Sequence, residues 1–162
     1  MALKQPIVIP HATENTYELS RDYKLELDNI AVIVPKYFRF DGASIPAPAW
    51  MFTYTPFHPD VMLPSLIHDW MYYNHQADRD ITDDLFFTLL KNNGVSNFMA
   101  NLMWGAVKAG GEFVWDNDEE DIEMLTELCR KVFGRPNFEG YKFPRGIVDR
   151  IAPITLPADD PD

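Results

Sequence analysis

The chain has 162 residues, 14 Lys and Arg against 25 Asp and Glu, a formal net charge of −11, and 14% aromatic residues. That length supports one domain with its own core, and 46% hydrophobic content excludes a disordered polyelectrolyte. The acidic balance argues against nucleic acid, because phosphate contacts need Lys and Arg. The charge is localised: residues 116–127 carry seven acids and no base, and residues 158–162 carry three more. Removing those ten leaves 15 acids against 14 bases, so the remaining body is nearly neutral.

The N-terminus MALKQPIVIP, with Pro6 and Pro10, does not read as a signal peptide. No stretch reaches the ~18 apolar residues of a membrane span, so stable membrane insertion is not expected. Cys129 is the single cysteine, which rules out an internal disulfide and a thiolate cluster. It reads as a buried structural thiol at helical spacing with Leu125, Leu128 and Val132. These features predict a soluble chain made in a reducing compartment.

The first part, residues 1–46, reads as mainly β. Ile7–Ile9 is a short apolar run, and Tyr17–Leu19 and Tyr23–Leu27 alternate apolar and polar, the period of a half-buried strand. Asp28-Asn29 predicts a turn into Ile30–Val34, and Tyr37–Phe40 continues as strand into Asp41-Gly42-Ala43-Ser44-Ile45-Pro46. Residues 47–63 are dense in proline and aromatic residues and are expected to form an ordered loop.

Residues 64–134 read as helical. The first helix is expected over Pro64–Asn74, with Pro64 in its first turn. The second is expected from Asp80 to Asn93-Gly94, with Asp80 as N-cap and Asp83 in the third position of a capping box. The third follows Ser96, shows Phe98, Leu102, Ala106 and Val107 on one face, and ends near Gly110-Gly111. The fourth starts in the acidic run, which complements a helix N-terminus, and stripes Ile122, Leu125, Leu128, Cys129 and Val132. That acidic run lacks the central glycine of an EF-hand loop. Residues 135–162 read as an extended arm. The fold class is therefore α+β: an N-terminal antiparallel β unit followed by a helical part.

The chemistry is expected at S-L-I-H-D-W-M-Y-Y and D-R-D-I-T-D-D-L-F-F. His68 and Tyr72 are four apart on one helix face, while Asp69 points about 100° away. A short connection, His75–Arg79, makes the two helices antiparallel neighbours. Asp84 lies between Ile81 and Phe87 in projection and, with Asp83 assigned to the cap, is the acid expected to reach His68. A His oriented by such a carboxylate is a general base for water, which makes His68, Asp84 and Tyr72 the candidate catalytic set. Asp69, with Asp41 and Gly42 from the tight loop, is the candidate site for a hard cation such as Ca²⁺. The same residues also fit a polar network that holds two helices in register. A metal phosphohydrolase would need a second upstream His; His58 lies between Phe57 and Pro59 in a loop. No nucleophile elbow, phosphate loop or dinucleotide fingerprint is present.

The runs F-D-G-A-S-I-P (Phe40–Pro46), I-H-D-W-M-Y (Ile67–Tyr72), D-D-L-F-F (Asp83–Phe87) and M-W-G-A-V-K (Met103–Lys108) together resemble a phage and prophage family catalogued as domain of unknown function 1353. The resemblance spans about Val32–Gly111. It implies a bacteriophage or integrated-prophage origin with synthesis in host cytoplasm, and no activity; the acidic helix start and the acidic, proline-bearing tail point separately to partners among other phage proteins or further copies of the chain. A more distant resemblance is to the His-Asp helix of phospholipase A2, which implies His68 as base, Asp69 as calcium ligand and Asp84 as orienting acid. Two functions follow as expectations: a metal-assisted ester hydrolase, or a non-catalytic virion component of the tail or neck in which the polar cluster is scaffolding.

Overall fold

The computed structural model describes residues 3–11, 16–27, 30–42 and 58–116, together with 123, 125–128, 130 and 131. The Asp28-Asn29 turn, the aromatic loop up to residue 57, Ile122, Cys129, Val132 and the arm from residue 135 lie outside the described residues.

Five strands come first: β1 (Val8–His11), β2 (Thr16–Leu19), β3 (Tyr23–Leu27), β4 (Ile30–Val34) and β5 (Arg39–Phe40). All pairings are antiparallel, in a three-stranded sheet of order β1-β2-β5 and a two-stranded ribbon β3-β4. The alternation read from sequence sets the ribbon's register. Tyr23 lies opposite Val34 and Leu25 opposite Val32, which puts these four side chains on the buried face, while Lys24 and Glu26 face out. In the other sheet Tyr17 pairs with Phe40 and Glu18 with Arg39, whose Nε donates to Glu18 Oε2 at 2.9 Å. Phe38, beside this sheet, meets Trp70 edge-on at 5.1 Å and Tyr73 at 5.8 Å, and so seats the β unit on the first helix.

The three fully described helices are α1 (Pro59–Asn74), α2 (Arg79–Asn92) and α3 (Asn97–Trp115). Helix α1 starts five residues earlier than the sequence predicts, inside the segment read as loop. His58 is its N-cap, with Nδ1 accepting from the Asp60 amide at 3.3 Å, and Pro59 opens the first turn. Pro64 therefore lies inside the helix, where it withholds the N–H that the Asp60 carbonyl would normally accept. Asn93, at the end of α2, supplies the missing donor: its Nδ2 reaches Asp60 O at 3.1 Å. We expect Asn93→Ala to cost about 1 kcal/mol in urea denaturation, the net value of one such bond.

Helix α1 is buried on nearly every side, from Val61 to Asn74, as expected of a central helix. It ends at His75, whose left-handed φ of 49° lets its amide cap Met71 O. Gln76 Nε2 then ties the connection to Ala31 O of β4 at 2.7 Å. Helix α2 starts at Arg79 with Asp78 as N-cap, so the capping box expected at Asp80 does not form. The contacts Asp60–Asn93 at one end and Tyr72–Asp83 at the other make α1 and α2 antiparallel, as expected.

Helix α3 turns inward a face that shares only Val107 with the stripe read from the sequence. Met99, Ala100 and Met103 pack with Val61, Phe86, Leu90 and Val95, whereas Phe98 and Leu102 are 76% and 48% exposed. Residues 97–107 carry no charge, so the sequence offers two apolar stripes of similar strength. Among the described residues no helix is long and apolar enough to cross a membrane. The helical residues around 125–128 place Leu125 and Leu128 in the main core, as their spacing predicts.

Candidate active site

His68 sits in the middle of α1 because Leu66, Ile67, Trp70 and Met71 around it are drawn into the cores. Its Nε2 lies 2.9 Å from Asp83 Oδ1 on α2. Tyr72, one turn along α1, donates its hydroxyl to the same oxygen at 2.8 Å. The Asp83 side chain is 0% exposed, and its Oδ2 is buried with no hydrogen-bond partner. One carboxylate oxygen therefore anchors both residues, with the His68 ring oriented to donate from Nε2.

The partner acid is Asp83, which corrects the expected Asp84. The physical reason is the start of α2. With Arg79 first, Thr82, Asp83, Phe86, Leu89 and Leu90 form the buried face, and Asp84 is turned about 100° further round. Ile81, which flanks Asp84 in projection, is 49% exposed. Asp84 instead faces α3, accepting from Trp104 Nε1 at 3.1 Å and lying 3.7 Å from Lys108 Nζ. The spacing Asp83, Phe86, Leu90 (i, i+3, i+7) carried the correct signal, but the capping assignment hid it.

The second nitrogen of His68 looks the other way. Nδ1 is 3.9 Å from Asp69 Oδ1, an electrostatic contact outside hydrogen-bond range. Burial works against a charged imidazole, but the Asp83 hydrogen bond and the charges of Asp69 and Asp83 outweigh it and hold His68 above its ordinary value. The Asp69 side chain keeps 21% of its surface exposed, yet its carboxyl is hemmed in. Burial pushes it up to about 6, the His68 contact opposes that, and the charge of Asp41 adds to it. Burial, reinforced by the Asp83 bond, keeps the Tyr72 phenol well above its usual range, so it stays a donor. Ring contacts restrict the cluster further: His68 lies 4.2 Å from Tyr72 and 4.9 Å from Phe86 between centroids.

Asp41 is exposed, and Gly42 is buried with φ of 84°, a backbone that glycine adopts without strain. The structure thus brings Asp41 and Asp69 within electrostatic reach of each other. Among the described residues no three His, Cys, Asp or Glu side chains form a group that could hold a metal ion. Ala43 and Ser44, the rest of the expected donor loop, lie outside the described residues.

Comparison with known proteins adds a family but no activity. Over 96 residues the chain is 32% identical to the uncharacterized protein y4jT of Sinorhizobium fredii (strain NBRC 101917 / NGR234), a match that covers 59% of this chain and 29% of that one. The matched region thus spans less than a third of that relative's length. No solved structure matches. The family model described as "Protein of unknown function (DUF1353)" matches residues 17–107, from β2 into α3, and includes His68, Asp69, Tyr72 and Asp83. With more than half of its length matched, the chain belongs to the DUF1353 family of proteins of unknown function.

Proposed function

We propose that the chain is an ester hydrolase in which His68 is the general base. One observation carries this reading: Nε2 is fixed on a fully buried carboxylate that Tyr72 also holds, while Nδ1 is turned toward the partly exposed Asp69. A base for water needs that asymmetry, one nitrogen oriented and the other available. In the reaction Nδ1 takes a proton from water as its oxygen attacks the ester carbonyl. Asp83 and Asp69 stabilise the imidazolium. Collapse of the tetrahedral intermediate expels the alcohol, which takes the proton back from Nδ1 and leaves the carboxylic acid. The pairing resembles the His-Asp helix of phospholipase A2 and the Asp facing it, with Asp83 in the orienting role. On that likeness Asp69 and Asp41 mark the side on which a hard cation such as Ca²⁺ would bind, but the described residues do not complete such a set, and the steps above need none.

The test is His68→Gln, which keeps an amide donor for Asp83 and removes the base. Hydrolysis of a p-nitrophenyl acyl ester and of a fluorogenic phospholipid, with Ca²⁺ and with chelator, should fall about a hundredfold or more while the melting temperature stays close to wild type. Equal rates in the two proteins rule the reading out. The low exposure of the His68 side chain, 10%, favours a second reading, a non-catalytic phage virion component in which the cluster is a satisfied scaffold. That reading gains if His68→Gln unfolds the chain and no substrate is turned over by wild type.

A further inference from the structure

The Tyr72 hydroxyl that anchors Asp83 is itself seated on α3. A Cβ built on Gly111 would collide with Tyr72 Oη and lie 3.2 and 3.3 Å from Cζ and Cε1. The other two glycines of α3, Gly105 and Gly110, would each place a Cβ in open space. Glycine is a poor residue inside a helix, and packing gives a reason for it only at position 111. Trp115, one turn further along, meets Tyr72 edge-on at 5.0 Å and stacks on His75 at 4.1 Å. Tyr72 is therefore confined on three sides, by Gly111, by Trp115 and by its bond to Asp83, so its ring has little room to yield to an added methyl group.

We infer that Gly111 is a positioning residue. Its missing side chain lets Tyr72 Oη seat against the α3 backbone and reach Asp83, and through Asp83 it sets the direction of the His68 imidazole. The third helix, which supplies no group to the dyad, thus controls its geometry. The consequence for catalysis rests on the hydrolase reading; the positioning does not.

A double-mutant cycle on the full chain decides it. Urea unfolding and the His68 imidazole ¹⁵N shifts at one fixed pH are compared in wild type, Gly111→Ala, Tyr72→Phe, the double variant and Gly110→Ala. Gly110→Ala should be at least as stable as wild type, with His68 shifts unchanged. Gly111→Ala should lower the folding equilibrium constant on the order of tenfold or more and move the His68 shifts in the same direction as Tyr72→Phe. With the hydroxyl gone the worst overlap is removed and only the tight contacts to the ring carbons remain, so in the Tyr72→Phe background the same substitution should cost several-fold less than it does in wild type. If Gly111→Ala alone does not fold, a folded double variant is the expected rescue. Additive effects, an unfolded double variant, or unmoved His68 shifts in a folded Gly111→Ala overturn the inference. Should wild type hydrolyse nothing, the hydrolase reading fails, and the cycle and the shifts still decide the role of Gly111.

Discussion

Asp83→Ala should destabilise the protein by about 3–5 kcal/mol, while Asp84→Ala, one residue further on, should cost at most about 1 kcal/mol. Asp83 Oδ1 is the acceptor for both His68 Nε2 and the Tyr72 hydroxyl, at 2.9 and 2.8 Å. Its removal leaves two donors stranded in a site where His68 is 8% and Tyr72 4% exposed. Each stranded donor costs about 1–3 kcal/mol, far more than the same bond returns at the surface. Asp84, with a side chain 66% exposed, has water to replace Trp104 and Lys108. A loss of that size is a large part of a typical domain's stability, so Asp83→Asn keeps the test measurable. Asparagine retains an acceptor oxygen for both donors, and its amide takes the place of Oδ2, which has no partner to lose. Asp83→Asn should therefore cost about 1 kcal/mol and lower the pKa of His68, because one of the two charges that raise it is gone. Urea denaturation and an NMR titration of His68 check both statements. If Asp84→Ala proves the costlier substitution, the site is misassigned.

The contrast between these neighbours shows what the sequence carries and what it leaves open. The H-D-x-x-Y spacing suffices to put His68 and Tyr72 on one helix face, because a helix has a single period. Antiparallel packing of α1 and α2 follows from the short connection. Alternation in Tyr23–Leu27 suffices for the register of the β3-β4 ribbon, since a slip by one residue would turn Leu25 outward. The choice between Asp83 and Asp84 depends instead on the phase of α2, and phase depends on where the helix starts. Asp78 and Asp80 are both good caps, and no local rule separates them; burial of Phe86 and Leu90 does. The start of α1 was hidden for a related reason. Pro64 reads locally as a helix opener, and only Asn93, distant in sequence, makes a proline in that interior position tolerable. In α3 the pattern is ambiguous in itself. Met99 and Met103 compete with Phe98 and Leu102 for the interior, and it is the methionines that pack with Phe86 and Leu90.

Asp69→Asn should make the protein more stable at neutral pH, by about 1–3 kcal/mol, and the gain should vanish near pH 4. In the native state burial pushes the Asp69 carboxyl from its ordinary value of 3.8 up to about 6. Between those values the folded chain binds more protons than the unfolded chain, so stability falls as pH rises through this window and stays reduced above it. Asparagine removes that titration, and the wild-type slope between pH 4 and 6 should disappear from the variant. The groups facing Asp69 act in opposite senses. Asp41 adds repulsion that asparagine relieves, His68 supplies attraction that asparagine forgoes, and the net rise to about 6 contains both. His68 contributes a second, later window. Its native pKa also lies above its ordinary value of 6.5, so its stabilisation is complete below that value and is lost as pH rises through the raised one. Losing the Asp69 charge should move that second window downward. On the hydrolase reading, in which His68 is the base, the carboxyl kept at this cost serves the reaction rather than folding, and Asp69→Asn should lower the rate of ester hydrolysis while raising the melting temperature. Melting curves of both proteins from pH 4 to pH 8 check the sign. A variant less stable than wild type at pH 7, or one that retains the slope between pH 4 and 6, would show that Asp69 is ionised in the folded chain at no cost.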